Sequence, residues 1–139
     1  MPNPTAARPA ILFANDAFYV AFAGGDVAAM EALWARRAPV SCIHPGAPAL
    51  TERAAIMASW RDIMGSGPAE IRAVDPRVFP LQDAAWVTCH EILPNSTLIA
   101  TNVFVREEGA WRMVHHHAGP APAPAPTGLQ DREAPPVMQ

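Results

Sequence analysis

The chain contains no lysine, so all ten of its basic residues are arginines, and they are scattered along the sequence. Thirteen acidic residues leave a formal net charge of −3. A nucleic-acid-binding domain needs basic residues clustered on one face, and this composition offers no such cluster. We therefore expect no nucleic-acid partner.

Long apolar runs are also missing. Half of the residues are hydrophobic, yet no stretch approaches the roughly 18 apolar residues that a membrane-spanning helix needs. The N-terminus lacks the charged and then apolar regions of a secretory signal. The two cysteines, Cys42 and Cys89, lie in apolar β-type segments and are interpreted as buried, reduced thiols. We expect a cytoplasmic protein with no membrane contact.

Motifs that specify well-known chemistries are absent as well. The sequence has no HExxH, no paired-cysteine zinc motif and no GxSxG nucleophile elbow. The glycines at 24–25 and at 65–67 follow helical patterns, where they act as helix stops and not as phosphate-binding loops. These absences disfavour a zinc hydrolase, a serine hydrolase and a nucleotide-binding protein. No cofactor is predicted.

The first half of the chain has helical periodicity. Apolar residues recur at spacings of three and four over 10–23 and again over 27–34. A third helical stripe follows Thr51 and ends at the "GSGP" segment. Asp26 and Thr51 are the predicted N-caps of the second and third helices. Three helices are therefore expected before residue 67.

The second half changes to the period of two that is typical of strands. Short turns such as "PNS" and "EEGA" separate its last three apolar runs, which predicts an antiparallel meander. Helices followed by strands indicate an α+β domain, with helices packed on one face of a curved sheet. The predicted strands are 40–44, 71–79, 84–93, 98–106 and 110–117.

The two ends of the chain lack a core-forming pattern. Residues 1–9 hold three prolines and are expected to be a flexible arm. From residue 121 onward the chain is rich in proline and alanine, which predicts an extended or disordered tail over 121–139. The folded domain is therefore expected to span 10–120, a length that suits a single core.

The order of these elements, together with "IHPG" (43–46), "TNVF" (101–104) and "WRMVHHHAG" (111–119), resembles the SnoaL-like branch of the nuclear transport factor 2-like superfamily. The resemblance covers about 10–120. It implies a cone, in which a strongly bent, mostly antiparallel sheet wraps around three N-terminal helices and leaves an internal pocket. Members include isomerases, dehydratases, cyclases, hydrolases and non-catalytic proteins, so the fold does not determine the reaction.

Three consecutive histidines near the end of the last strand are the most unusual feature of the sequence. Side chains alternate along a strand, so Trp111, Met113, His115 and His117 are predicted to share one face and His116 the other. The first set carries the larger apolar residues and is placed on the concave face, towards the pocket. His116 is then predicted to lie on the convex face.

The strand 84–93 is assigned in the same way. The set that contains Cys89 and Glu91 has small apolar members suited to lying beneath helices, and it is predicted to be concave. Trp86 and His90 then lie on the convex face, which relatives often use for dimerisation. We therefore expect a homodimer through the convex face of the sheet.

These placements predict a pocket with an acid–base set and apolar walls. A buried carboxyl group is easier to protonate and histidine titrates near neutral pH, so the two together can move a proton. The predicted catalytic residues are His44, Glu91, His115 and His117. The predicted ligand-binding residues are Phe18, Tyr19, Trp34, Trp60, Asn102 and Met113.

The function predicted from this set is that of a small-molecule pocket protein. If it is an enzyme, we expect cofactor-free isomerisation, dehydration or hydration of a small apolar organic substrate. Two alternatives remain open at this point. The first is a non-catalytic binding or accessory protein with the same pocket. The second is a metal site built on His115 and His117 with His44 or Glu91; the main prediction contains no metal.

Overall fold

A computed structural model of the chain describes residues 3–124. It has three helices and a five-stranded sheet. Four of the five strands follow the helices in the chain, and the other, a short one, lies between the second and third helices. The elements in chain order are a 3₁₀ turn (Pro4–Ala7), α1 (Arg8–Gly24), α2 (Val27–Leu33), β1 (Ser41–Ile43), α3 (Arg53–Met64), β2 (Arg72–Pro80), β3 (Ala84–Leu93), β4 (Ser96–Glu107) and β5 (Ala110–Pro120).

The N-terminal arm is shorter than predicted. The side chain of Asn3 accepts a hydrogen bond from the backbone N–H of Thr5 at 3.0 Å, and Pro4 occupies the first position of the 3₁₀ turn that follows. Proline is favoured there because it has no N–H to satisfy. The expectation of a flexible arm over 1–9 is therefore wrong from Pro4 onward. The predicted tail lies outside the described residues beyond Pro124.

Local sequence signals set the end of α1 and the start of α2. Gly25 adopts a left-handed φ of 66° and ends α1, and Asp26 caps α2 by accepting a hydrogen bond from the Ala29 N–H at 3.1 Å. The predicted cap at Thr51 is wrong, because α3 begins at Arg53 and Glu52 stands at its N-cap without a side-chain bond. None of the helices within residues 3–124 is long and apolar enough to cross a membrane.

The sheet has the strand order β1-β5-β4-β3-β2. Strands β2 to β5 form an antiparallel meander, and β1 pairs in parallel with β5. The buried apolar side chains of the helices and of the inner sheet face form one continuous core. The predicted α+β cone of three helices on a bent, mostly antiparallel sheet is confirmed.

The predicted faces of β3 are confirmed. Cys89 and Glu91 are buried on the concave face, whereas Trp86 is 37% exposed on the convex face. Their register neighbours on β4 extend the same division, because Val103 lies opposite Trp86 and Asn102 lies opposite the buried Val87.

The predicted faces of β5 are wrong around its histidines. Met113 pairs with Phe104 and His115 pairs with Val103, so Val114 has no partner on β4 and forms a β-bulge. A bulge adds one residue and reverses the alternation beyond it. As a result His116 is buried beside Met113, while His117 is exposed.

Candidate functional site

Six polar side chains meet in the apolar interior between α1 and the concave face of the sheet. Two of them lie four residues apart on α1, so they project from the same face of that helix. The others come from three adjacent strands. This polar centre consists of Asn15, Tyr19, Cys89, Glu91, Asn102 and His116. All six residues are buried, and none is more than 4% exposed.

A short hydrogen bond joins Tyr19 to Glu91. The distance from Tyr19 Oη to Glu91 Oε2 is 2.6 Å. The tyrosine oxygen also accepts hydrogen bonds from Asn102 Nδ2 at 3.2 Å and from the Cys89 thiol at 3.4 Å. Because these two donors occupy its lone pairs, the hydroxyl proton of Tyr19 is directed to Glu91.

The orientation of Asn102 determines which nitrogen of His116 carries the proton. Asn102 Nδ2 also donates to Asn15 Oδ1 at 2.9 Å, so Asn102 Oδ1 must accept the 2.6 Å bond from His116 Nδ1. The Nδ1 atom of His116 is then protonated, and in the neutral ring Nε2 carries the lone pair. That Nε2 atom lies 3.9 Å from Glu91 Oε2.

Burial disfavours the charged forms of the ionisable groups in the polar centre. Desolvation raises the pKa of Glu91, partly opposed by the hydrogen bond from Tyr19, and it also raises the pKa of the Tyr19 hydroxyl. Desolvation lowers the pKa of His116 to about 3. With its pKa lowered to about 3, His116 is uncharged at neutral pH, so its close approach to Glu91 is not an ion pair.

Aromatic and sulfur-containing side chains surround the polar centre, as the sequence predicts. The ring of Phe18 lies 4.9 Å from that of His116, and the ring of Trp60 lies 5.7 Å from it, both between centroids. Trp34 and Met113 are fully buried in the same core. The indole N–H groups of Trp34 and Trp60 are buried without a hydrogen-bond partner among the described residues.

His44 lies at the half-buried margin of this cluster. Its Nε2 atom is 2.9 Å from Ser59 Oγ and 3.7 Å from the sulfur of Cys42. Its ring packs edge-to-face on Trp60 with centroids 4.9 Å apart, and it lies 6.4 Å from the ring of His116. Burial lowers the pKa of His44.

The structure therefore brings together part of the predicted site. Glu91, Tyr19 and Asn102 meet in the polar centre and His44 lies beside it, as expected. His115 and His117 do not, because the bulge turns them to the convex face; His115 there bonds to Ser41 Oγ at 2.6 Å. The metal alternative built on those two histidines loses its geometric basis. Within residues 3–124 no three His, Cys, Asp or Glu side chains are arranged to hold an ion.

Three members of the polar centre were not predicted as site residues. His116 was missed because a bulge leaves no mark in the strand pattern, and Asn15 because it is not one of the apolar residues that define the first helix. Its position four residues before Tyr19 is the signal that could have placed it on the inner face. Cys89 shares the strand face of Glu91, which the alternation does indicate.

Most of the chain matches a known protein family. Residues 11–124 match the model of the SnoaL-like domain. The chain belongs to the SnoaL-like domain family. This result confirms the resemblance inferred from the sequence motifs, and the matched range runs from within α1 to beyond the end of β5.

Two solved structures resemble this SnoaL-like domain in sequence as well as in fold. A proposed dehydratase of the nuclear transport factor 2-like family from Streptomyces avermitilis is 30% identical, with a TM-score of 0.77 over 87% of this chain and 100% of that one. A proposed calcium/calmodulin-dependent protein kinase type II association domain from Thiobacillus denitrificans is 36% identical, with a TM-score of 0.66 over 88% and 98% of the two chains.

A plant protein also contains a region similar to this SnoaL-like domain. The F-box protein SKIP8 of Arabidopsis thaliana is 30% identical over 114 residues, which is 78% of this chain. The match spans 48% of the plant protein, so about half of that protein has no counterpart here. The similarity therefore concerns the domain and not the whole plant protein.

Proposed function

We propose that this SnoaL-like protein is a cofactor-free acid–base enzyme of the isomerase, dehydratase or hydratase type, acting in the cytoplasm on a small apolar organic substrate. The observation that carries the proposal is the pairing of Glu91 with His116. An acid made easier to protonate and a base made harder to protonate lie 3.9 Å apart in an apolar interior. Shifted pKa values on neighbouring groups in an apolar interior are typical of acid–base sites.

A dehydration at this site is balanced in protons. His116 Nε2 takes a proton from a substrate carbon, and the electron pair of that C–H bond forms the new double bond. The C–O bond breaks, and the leaving hydroxyl takes the proton of Glu91 and departs as water. Transfer of the proton from His116 Nε2 to Glu91 Oε2 restores both groups, and hydration is the reverse sequence.

An isomerisation uses the same groups with one proton. His116 removes it from one carbon and returns it to another, while a substrate oxygen carries the negative charge in between. Tyr19 and Asn102 hold hydrogen-bond donors beside Glu91, within an interior that strengthens such bonds. Because these donors are already bonded to Glu91, Tyr19 and Asn15, their proposed role is to hold Glu91 and His116 in place, while the carboxyl group of Glu91 donates to that oxygen.

The comparison with the Streptomyces avermitilis protein supports this proposal. That protein is a proposed dehydratase, and this chain aligns with all of it at 30% identity. This support concerns the type of reaction and does not extend to the substrate.

Proton transfer can be tested without knowing the natural substrate. The wild-type protein is incubated in D₂O with a panel of apolar ketones and β-hydroxy ketones, and NMR records deuterium entering the carbon next to the carbonyl. We expect exchange that is lost in Glu91→Gln and in His116→Gln and retained in His117→Gln, the exposed control on the same strand. Equal exchange in all four proteins would contradict the proposed roles.

A non-catalytic binding or assembly function is the second candidate. The polar centre satisfies many of its hydrogen bonds internally, and its apolar walls are closely packed. Two surface grooves of about 340 and 370 Å³ are lined by other residues. The 36% identity to a proposed association domain is consistent with an assembly role. Absence of exchange with every probe, in a protein that still binds one of them, would favour this candidate.

We also propose that two copies associate through the convex face of the sheet. Phe79 and Trp86 stack there with ring centroids 5.1 Å apart, and they are 40% and 37% exposed. Ile99, 39% exposed, adds to the same surface. A symmetric dimer would remove this apolar area from water.

A further inference from the structure

The charge distribution around the polar centre limits the substrates that it can accept. Arginines are the only basic residues besides histidine in this chain. Arg53, at the start of α3, donates to the backbone carbonyls of Glu31, Trp34 and Ala35. Arg112, on β5, donates to the backbone carbonyl of Ala32. These bonds keep both guanidinium groups at α2 and its C-terminal end.

Two other arginines are held in surface ion pairs. Arg61 of α3 pairs with Glu31 at 2.6 Å, and Arg106 of β4 lies 3.9 Å from Asp83 and over the ring of Trp111. The cationic groups of α3, β4 and β5 are thus engaged outside the polar centre. A carboxylate or phosphate brought into this interior would lose its hydration without gaining a counter-charge, which is costly.

His44 is the polar side chain at the margin of the centre, and Ser59 determines its hydrogen-bonding role. Ser59 Oγ has one proton, which it donates to the carbonyl of Ile56 at 2.7 Å. His44 Nε2–H must then be the donor in the 2.9 Å bond to Ser59. In the neutral ring this tautomer leaves the lone pair on Nδ1.

We propose that this site selects an uncharged substrate that carries a hydroxyl group, with His44 Nδ1 accepting a hydrogen bond from that hydroxyl and Ser59 holding His44 in the required tautomer. An alcohol satisfies the acceptor on His44. A carboxylate has no proton to donate, and a ketone or ester lacks one as well. His44 is thus a specificity residue and Ser59 a positioning residue. The inference rests on the proposed site but not on its catalytic activity.

Three probes of similar size differ in charge and in whether they carry a hydroxyl group: cyclohexylmethanol, methyl cyclohexanecarboxylate and cyclohexanecarboxylate. Binding is followed by the imidazole NMR signals of His44 and His116, which report contact with the site itself. At pH 7.5 we expect the alcohol to bind most tightly, the ester less tightly and the carboxylate least. Equal or tighter binding of the carboxylate, or saturation with no shift of either imidazole, would overturn the proposal.

The pH dependence gives a second criterion with the same probes. If the site admits only the protonated, uncharged form of the cyclohexanecarboxylate probe, the apparent affinity follows the fraction of probe in that form. That affinity should then rise about tenfold for each unit that the pH falls, until the pH reaches the pKa of the probe. The affinity for the alcohol should stay constant between pH 6.5 and pH 8. A carboxylate affinity that does not change with pH over this range would contradict the exclusion of charge.

Substitution of Ser59 tests the positioning role. In Ser59→Ala the ¹⁵N shifts of His44 should change from one tautomer to a mixture, and the preference for alcohol over ester should fall in proportion to the lost fraction of the Nε2–H tautomer. Ser66→Ala, at an exposed position, is the matched control. An unchanged preference in Ser59→Ala would refute the role of Ser59.

The binding preference among these probes and the deuterium exchange test different proposals. If the alcohol preference holds and no probe exchanges deuterium, the specificity inference stands and the enzymatic proposal fails. If exchange occurs and the carboxylate binds as tightly as the alcohol, the enzymatic proposal stands and this inference fails.

Discussion

Three adjacent histidines in this protein occupy three different environments. His115 is half-buried and bonded to Ser41, His116 is 2% exposed and bonded to Asn102, and His117 is exposed. Residue type is identical at the three positions, so their chemistry depends on which side of the sheet each one faces. The proposed base is the one that the strand turns inward.

Removing the imidazole at each position should show this difference in stability. His116→Ala leaves the carbonyl oxygen of Asn102 without its donor, and an unsatisfied buried group costs roughly 1–3 kcal/mol. His117→Ala removes an exposed side chain and should change the free energy of unfolding by less than about 0.5 kcal/mol. Urea denaturation measures both. A larger loss in His117→Ala would contradict the assigned faces.

The stability of the protein should also depend on pH through His116. In the unfolded chain the imidazole binds a proton below its ordinary pKa of 6.5, but in the folded protein only below about 3. The unfolded state thus binds more protons in this window, so acidification from pH 6.5 towards 3 lowers stability, by at most about 1.4 kcal/mol per pH unit.

Glu91 acts in the opposite direction. Its pKa is raised on folding, so the folded state retains a proton that the unfolded state loses, and stability falls as pH rises above 4.5. Comparison of the wild type with His116→Gln, which keeps Glu91, isolates the histidine. We expect urea denaturation at pH 4.5 to 6.5 to show a smaller loss on acidification in the variant. Parallel curves would refute the buried neutral histidine.

At the scale of the element, the bulge at Val114 decides the composition of the site. With Val114 unpaired, Met113 and His116 both face inward although they are three residues apart. Without it they would be two apart on a regular strand, which also places both on the same face. Met113 and His116 would therefore both still face inward if Val114 were deleted and the bulge disappeared with it.

Deletion of Val114 should accordingly be tolerated. We expect a cooperative transition with a loss of about 1–3 kcal/mol, and an imidazole NMR signal of His116 that still reports the bond to Asn102. Deletion of Thr101 from the regular part of β4 is the control: it would turn Asn102 away from His116 and should cost more than about 4 kcal/mol. Similar losses in the two deletions would contradict this register.

At the scale of the whole molecule, the convex face of the sheet governs the proposed assembly. Trp86 stacks on Phe79 and both are partly exposed there. We expect light scattering to give about twice the chain mass of 14.9 kDa for the wild type, and a monomer for Trp86→Arg. Phe13→Arg on α1, at a position 75% exposed, should leave the dimer intact. A monomeric wild type would refute the proposal.

The end of the chain is a second property at this scale. Ala121 still bonds to the carbonyl of Thr97 at 3.0 Å, so the fold includes at least this residue. Truncation after Pro124 removes residues without a core-forming pattern and should leave the melting temperature unchanged within error. A fall of several degrees would show that the removed residues pack on the body of the protein.

Much of the architecture follows from sequence alone, because it depends on local rules. Helical and strand periods, the glycine stop at 24–25 and the cap at Asp26 are short-range properties, and they predicted three helices followed by an antiparallel meander. The alternation along β3 placed Glu91 inside without knowledge of any partner. The family resemblance rests on the same local motifs and their order.

Which histidine is the proposed base was decided only by tertiary structure. A bulge forms when one strand carries an extra residue relative to its neighbour, which is a relation between β4 and β5 and has no mark in either sequence. The tautomer of His116 follows from Asn102, which Asn15 and Tyr19 orient in turn. Such bonds join side chains from different elements, and the folded core alone brings them within reach.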